Sequence, residues 1–149
     1  ILKESFLDIS LFRPEKKRTA PSKRSAVFRL KTKKEYIMET ISWQDFEKVQ
    51  IRVGTILKVN DFPNARNPAY QLEIDFGAEL GVKKSSAQIT QLYEKETLIG
   101  KQVVAVVNFP VKQIANFFSE CLVLGVVGDN KEIVLLQPDR IVENGKRIA

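Results

Sequence analysis

The chain has 149 residues, 44% of them hydrophobic, with a formal net charge of +6, one cysteine and no histidine. That is enough for one domain with a proper core, and no run approaches the roughly 18 apolar residues of a membrane span. Without histidine, zinc sites, Ser-His-Asp triads and Cys-His pairs are excluded as intrachain machinery, and the lone cysteine excludes an internal disulfide framework.

The charge is unevenly spread. Residues 1–38 hold 11 Lys+Arg against 4 Asp+Glu, whereas residues 39–149 hold 13 against 14. Basic character argues for polyanion contact only where the charge sits, so the excess belongs to an N-terminal arm. ILKESFLDISLF is mildly apolar, and RPEKKRTAPSKRSAVFRLKTKKE is a basic run broken by Pro14 and Pro21. This composition reads as a disordered basic extension; the functional alternative is an arm for nucleic acid or an anionic membrane. Glu4, Asp8 and Glu15 argue against a transit peptide. The single methionine, Met38, directly precedes the first well-patterned segment and is read as the true start. The expected division is a basic extension, 1–37, and a domain, 38–149.

From Glu39 the pattern sharpens. Thr40 or Ser42 caps a short helix, with Asp45 in a capping-box relation to Ser42. Ile41, Trp43 and Phe46 give it an apolar face expected to plug a core edge. In QIRVGTILKVNDF, Ile51, Val53 and Thr55 alternate with Arg52, Gly54 and Ile56, which is strand periodicity, and mid-strand Gly54 predicts a bend or bulge. PNARNPA (63–69) is a loop by composition. In YQLEIDFG, Leu72, Ile74 and Phe76 face one way and Glu73 and Asp75 the other. Gly77 and Gly81 bracket a turn into VKKSSAQIT. TQLYEKETLIG predicts a short helix or turn, with Thr90 as cap and Gly100 as stop.

Two short Val/Leu-rich runs, 103–107 and 122–127, read as buried strands, and Pro110 ends the first. The loop between them carries Asn108, Phe109, Phe117 and Phe118 and is the most site-like stretch. Cys121 is expected to be an inert buried thiol. Gly128-Asp129-Asn130 turns the chain into EIVLLQP, Asn144-Gly145 makes the last turn, and Ile148 is a last apolar anchor. No internal repeat is visible. The expected fold is all-β: a five-stranded Greek-key barrel of the OB type with short helices. A sandwich is the alternative on pattern alone.

Residues 39–149 resemble the tRNA-binding-domain family, an OB fold found as C-terminal appendages of some aminoacyl-tRNA synthetases, in their cofactors, and as small free-standing proteins. The shared pattern is FEKVQIRVGTI (46–56), FPNAR (62–66), LIGKQVVAVVNF (98–109), SECLVLG (119–125) and the final VLLQPD…GKRI. NPAYQLEIDFG (67–77), SSAQIT (85–90) and VNFP (107–110) look closest to its CsaA-type branch of export-related chaperones. The resemblance implies a cytoplasmic homodimer built by the N-terminal helix and the terminal segments, with Trp43, Phe46, Ile141, Val142 and Ile148 as dimer residues. Their alternative role is to cap the open ends of the barrel. No cofactor and no metal are implied.

A chaperone-type site binding unfolded or export-destined polypeptide needs a shallow apolar surface beside amides or hydroxyls. Phe62, Phe109, Phe117 and Phe118 are candidates for the first, and Asn64, Asn67, Ser85, Ser86, Gln88 and Asn108 for the second. A tRNA-type site, the alternative, needs phosphate contacts and stacking platforms. Arg52, Lys58, Arg66, Lys83, Lys84 and Lys112 are its candidate cations, and Tyr70 and Phe109 its stacking rings. The folded part has no basic excess, so RNA affinity would need a local cluster and depend strongly on salt. An enzyme is not expected: Glu73, Asp75 and Asp139 lack partners of the kind catalysis requires, and Ser85-Ser86 has no visible base.

Overall fold

In the computed structural model, which describes residues 38–149, Ser42 caps helix α1 (Trp43–Lys48). Its hydroxyl accepts from the Asp45 amide at 3.1 Å, and the Asp45 carboxylate accepts from the Ser42 amide in return, a reciprocal capping box. Lys48 above all, and Ser42 after it, holds the Asp45 carboxyl below its ordinary range through hydrogen bonds. No α1 residue is buried. This corrects the expectation that its apolar face plugs the core: the helix docks through backbone groups, and Ile41 and Trp43 face outward. The expected basic extension, 1–37, and its expected disorder lie outside the described residues.

The remaining elements are β1 (Ile51–Asp61), β2 (Tyr70–Asp75), α2 (Gly77–Leu80), β3 (Val82–Ala87), α3 (Lys95–Leu98) and β4 (Gln102–Val106). They are followed by β5 (Lys112–Ile114), β6 (Phe117–Ser119), β7 (Leu122–Val123), β8 (Gly125–Val127) and β9 (Ile133–Leu135). An antiparallel sheet ordered β3-β2-β1-β4-β7 curls into a nearly closed five-stranded barrel of the OB type. Inside it, the alternation of β2 delivers Leu72 and Ile74, and Phe76 just past its end, to a core completed by Ile56, Leu98, Val103 and Ala105.

A long strand in so small a barrel must bend. The bend is at Leu57, where the β1–β2 register shifts between Ile56 and Lys58. The extra residue lets both Ile56 and Val59 point inward. Gly54 is not the bulge. A Cβ there would stand 2.7 Å from the Phe76 ring and 2.8 Å from Ile74 Cγ2, so glycine is needed for close approach. Glu94, not Thr90, is the N-cap of α3, without a side-chain cap bond. Gly100 stops that segment at φ 83°.

The run 103–107 is buried apart from half-buried Val107, but the run 122–127 is not the buried strand expected. It breaks into β7 and β8, and Leu122, Val126 and Val127 are exposed. A side chain at Gly125 would collide with Ile133 and the Val134 carbonyl, so the chain closes there into the β8–β9 hairpin. A run of Val and Leu without alternation carries no information about faces.

The C-terminal segment lies along the first half of β1. The Gly145 amide donates to Val53 O at 2.8 Å, Val53 N–H to Lys146 O at 3.0 Å, and Ile148 N–H to Ile51 O at 3.0 Å. Asn144 locks it: Oδ1 accepts from the Thr55 hydroxyl at 2.8 Å and Gln102 Nε2 at 3.1 Å, and Nδ2 donates to Asp75 Oδ2 at 3.0 Å. Asp75 is therefore a clasp for this segment.

Candidate functional site

The β4 ladder ends at Val106, four residues before the Pro110 expected to stop it, and the chain returns as the β5–β6 hairpin, paired Lys112↔Ser119, Gln113↔Phe118 and Ile114↔Phe117. Phe117 anchors it by packing on Phe62, ring centroids 5.5 Å apart. Phe62 is itself only 4% exposed, so its ring supports the hairpin from behind.

The seam between β3 and the segment 119–121 is closed largely by side chains. The Glu120 amide donates to Lys84 O at 2.8 Å and the Lys84 amide to Glu120 Oε2 at 2.9 Å. The hydroxyls of Ser85 and Ser119 both donate to Cys121 O, at 3.0 and 3.2 Å. The Ser86 amide faces Ser119 Oγ at 3.4 Å. Ser85 is buried in this seam; Ser86 is half-buried.

Where hairpin, seam and β7 meet, Phe109, Pro110, Lys112, Ser119, Cys121 and Leu122 line a groove of about 280 Å³. Phe109 is 54% and Leu122 49% exposed, and exposed Val111 and Phe118 continue the apolar surface outside the groove. Burial pushes the Cys121 thiol up to about 11, against the lowering influence of the Ser85 hydrogen bond and the Lys83 charge. At neutral pH it is a protonated, weakly nucleophilic member of the groove lining.

The other polar candidates lie outside the groove lining. Asn64 and Asn67 are exposed on the 62–69 loop, and Asn67 Nδ2 reaches Gln88 Oε1 at 3.4 Å, linking the loop to the segment beyond β3. Asn108 is exposed, but its carboxamide is committed to α1. Oδ1 accepts from Gln50 N–H at 2.9 Å and Nδ2 donates to Lys48 O at 2.7 Å.

The basic candidates occupy separate settings. Lys58 and Lys84 stand on either side of Glu73 across three strands. Arg52 donates to Gly145 O at 3.0 Å and Gln50 Oε1 at 2.9 Å, with Nε buried and unpartnered. Arg66 is exposed on the loop, Lys83 is half-buried and Lys112 lines the groove. Tyr70 is buried, its hydroxyl donating to Tyr93 O at 3.1 Å, so its ring is no stacking platform.

The residues expected at a dimer contact lie mainly at the surface. Trp43 is 62% and Ile141 93% exposed, Val142 is exposed, and Phe46 and Ile148 are half-buried. Sequence reasoning missed Leu122 and Cys121 in the groove and the exposed cross-strand pair Val126↔Val134 on β8–β9. A periodicity search could not find them, because an unbroken apolar run reads as core. Among the described residues, no group of three or more His, Cys, Asp or Glu is placed to hold a metal. No helix among them is long and apolar enough to cross a membrane.

Residues 51–147 match the family described as "Putative tRNA binding domain". The chain is 51% identical to the chaperone CsaA of Bacillus anthracis str. Ames, with a TM-score of 0.71, over 74% of this chain and 100% of that one. It is 54% identical to the CsaA chaperone protein of Picrophilus torridus, with a TM-score of 0.70 and the same coverage. It is also 36% identical over 111 residues to the methionine–tRNA ligase of Thermococcus kodakarensis, matching 74% of this chain but only 14% of the ligase. The chain thus spans about a seventh of the ligases it matches. The family matched is described as a binding domain. With the barrel, its register and these matches in agreement, the chain belongs to the tRNA-binding-domain family, alongside the CsaA proteins.

Proposed function

We propose that the protein is a homodimeric, cytoplasmic, CsaA-like chaperone that holds unfolded or export-destined polypeptide in the groove beside the β5–β6 hairpin. The observation that carries this reading is the groove's lining: Phe109, Pro110 and Leu122 as apolar walls above a buried thiol. Unfolded segments present bulky apolar side chains in no fixed sequence, and a shallow apolar receiver accommodates them. Asn64, Asn67, Ser86 and Gln88 are the groups proposed to meet peptide backbone alongside. The full-length match to proteins named as chaperones supports the same reading. Exposed Trp43, Ile41, Ile141 and the Val126–Val134 pair favour a second copy as their cover.

The second reading is tRNA or structured-RNA binding, favoured by the family's description and by the ligase matches. Lys58, Lys83, Lys84, Arg66 and Lys112 would then contact phosphates, with Phe109 as a stacking ring; Arg52 is spent inside the fold on Gly145 O and Gln50 Oε1. Titration of the full chain, and of the chain starting at Met38, with an unstructured apolar peptide and with bulk tRNA at two salt concentrations separates the readings. Peptide binding that barely changes with salt and is lost in Phe109→Ala is expected. Binding of tRNA alone, weakening steeply with salt and lost when Lys83 and Lys84 become alanine, would overturn it.

A further inference from the structure

The groove has one uncommitted charge at its edge. Ser119 is engaged twice, with Cys121 O at 3.2 Å and the Ser86 amide at 3.4 Å. The Cys121 thiol turns to Lys84 O at 3.7 Å. Between positions 109 and 123 the chain carries a single carboxylate, Glu120, whose Oε2 accepts from the Lys84 amide at 2.9 Å. Lys112 is exposed and takes part in none of the ion pairs among the described residues. Lys112 is thus the one charged residue lining the groove; the Glu120 carboxylate keeps its charge and is felt at Cys121, but lies outside that lining. A ligand carboxylate there meets an opposite charge, whereas a ligand ammonium meets a like charge beside apolar walls.

Resting on the polypeptide-binding reading, we infer that the groove selects segments in which a bulky apolar residue lies two positions from an Asp or Glu. The apolar side chain enters the groove, and the carboxylate pairs with Lys112. In an extended peptide, residues two apart point to the same side, about 7 Å from each other. The groove's volume, about 280 Å³, falls just below the roughly 300–1,000 Å³ of drug-sized ligand sites, which suits one side chain. The preference is for composition within a short window, so it leaves the chaperone broad in what it accepts.

The test uses the full chain and labelled, unstructured peptides carrying a single Leu, with Asp, Asn or Lys two positions away, and fluorescence anisotropy as the readout. A Leu→Gly peptide is the control, and one neutral peptide ends in Leu with a free carboxylate. The Asp peptide is expected to bind about fivefold more tightly than the Asn peptide, the upper end for an exposed ion pair, with the Lys peptide weakest. The Asp preference is expected to vanish in Lys112→Gln, to reverse towards Lys in Lys112→Glu, and to shrink in high salt. Lys112 is exposed, so both variants should keep the fold. Equal binding of Asp and Asn peptides above the Leu→Gly control, or a preference that survives Lys112→Gln, overturns the acidic selection but leaves polypeptide binding standing. Tighter binding of the free Leu carboxylate overturns it in favour of chain-end capture. Binding of no Leu peptide above the control overturns the polypeptide reading as well.

Discussion

Asn108 accepts the backbone amide proton of Gln50 at 2.9 Å across 58 positions of the chain, and its other end donates to Lys48 O at 2.7 Å. One carboxamide thus holds the end of α1 against the loop that forms the groove. Arg147 Nη2 and Gln50 Nε2 add bonds to Glu47 O at 3.1 and 3.2 Å, so α1 is fixed by its last carbonyls while Trp43 stays exposed.

Asn108→Ala should release that end of the helix. The bonds are exposed, so the loss should be roughly 1 kcal/mol of docking energy. Amide hydrogen exchange at residues 49–50 should accelerate, with little change in global melting. Unchanged protection there would show that Arg147 and Gln50 suffice.

Phe62 and Phe109 should respond oppositely to truncation. Phe62→Ala removes the support of Phe117 and should cost about 3–5 kcal/mol of stability in chemical denaturation. Phe109→Ala should change stability by less than about 1 kcal/mol while abolishing peptide binding. Equal stability losses in the two variants would place Phe109 in the core instead of the groove.

Gly54→Ala should cost about 1–3 kcal/mol, because its Cβ would meet the Phe76 ring at 2.7 Å. Thermal melting reads the loss. A neutral substitution would mean that the ring can move aside.

Cys121 should give stability an alkaline limit. Burial raises its folded pKa from 9.0 to about 11, so folding favours the protonated thiol. This contribution is fully present below the unfolded value and is lost as pH rises through the folded one. The unfolded chain ionises first, and stability should fall by about 2–3 kcal/mol over that window. Denaturation of wild type and Cys121→Ala at pH 8 and 11 isolates the thiol's share. Parallel pH curves would assign the alkaline loss to other groups.

The proposed homodimer should depend on Trp43 and on the Val126–Val134 pair. Trp43→Glu and Val126→Glu alter exposed positions and should leave the barrel folded while shifting sedimentation from dimer to monomer. A wild-type chain that sediments as a monomer at high concentration would exclude the dimer.

Local chemistry made much of the barrel legible. Leu72, Ile74 and Phe76 alternate with polar neighbours, so one face of β2 follows from period alone. Ser42 with Asp45 marks a helix start because the box closes within a single turn. Gly77, Gly81 and Gly100 mark reversals because each sits at positive φ. Arg52, Phe62, Ser85 and Asn108 looked like ligand groups from their chemistry. Each instead has a distant partner in the fold: Gly145, Phe117, Cys121 and Gln50.

The inward residues of β2, the Ser42–Asp45 cap, the glycine turns and the family were legible in the sequence, since these rest on neighbours within a few positions or on motifs in order; the cap of α3 was not, and stands at Glu94 instead of Thr90. Pairing across the fold is what makes Gly54 clear space for Phe76, splits the 122–127 run with Leu122, Val126 and Val127 exposed, and brings Leu122 and Cys121 beside Phe109 in one groove. Those outcomes depend on which strand lies beside which. A valine or leucine has the same composition whether the space next to it is filled by a strand of its own chain or left open for another.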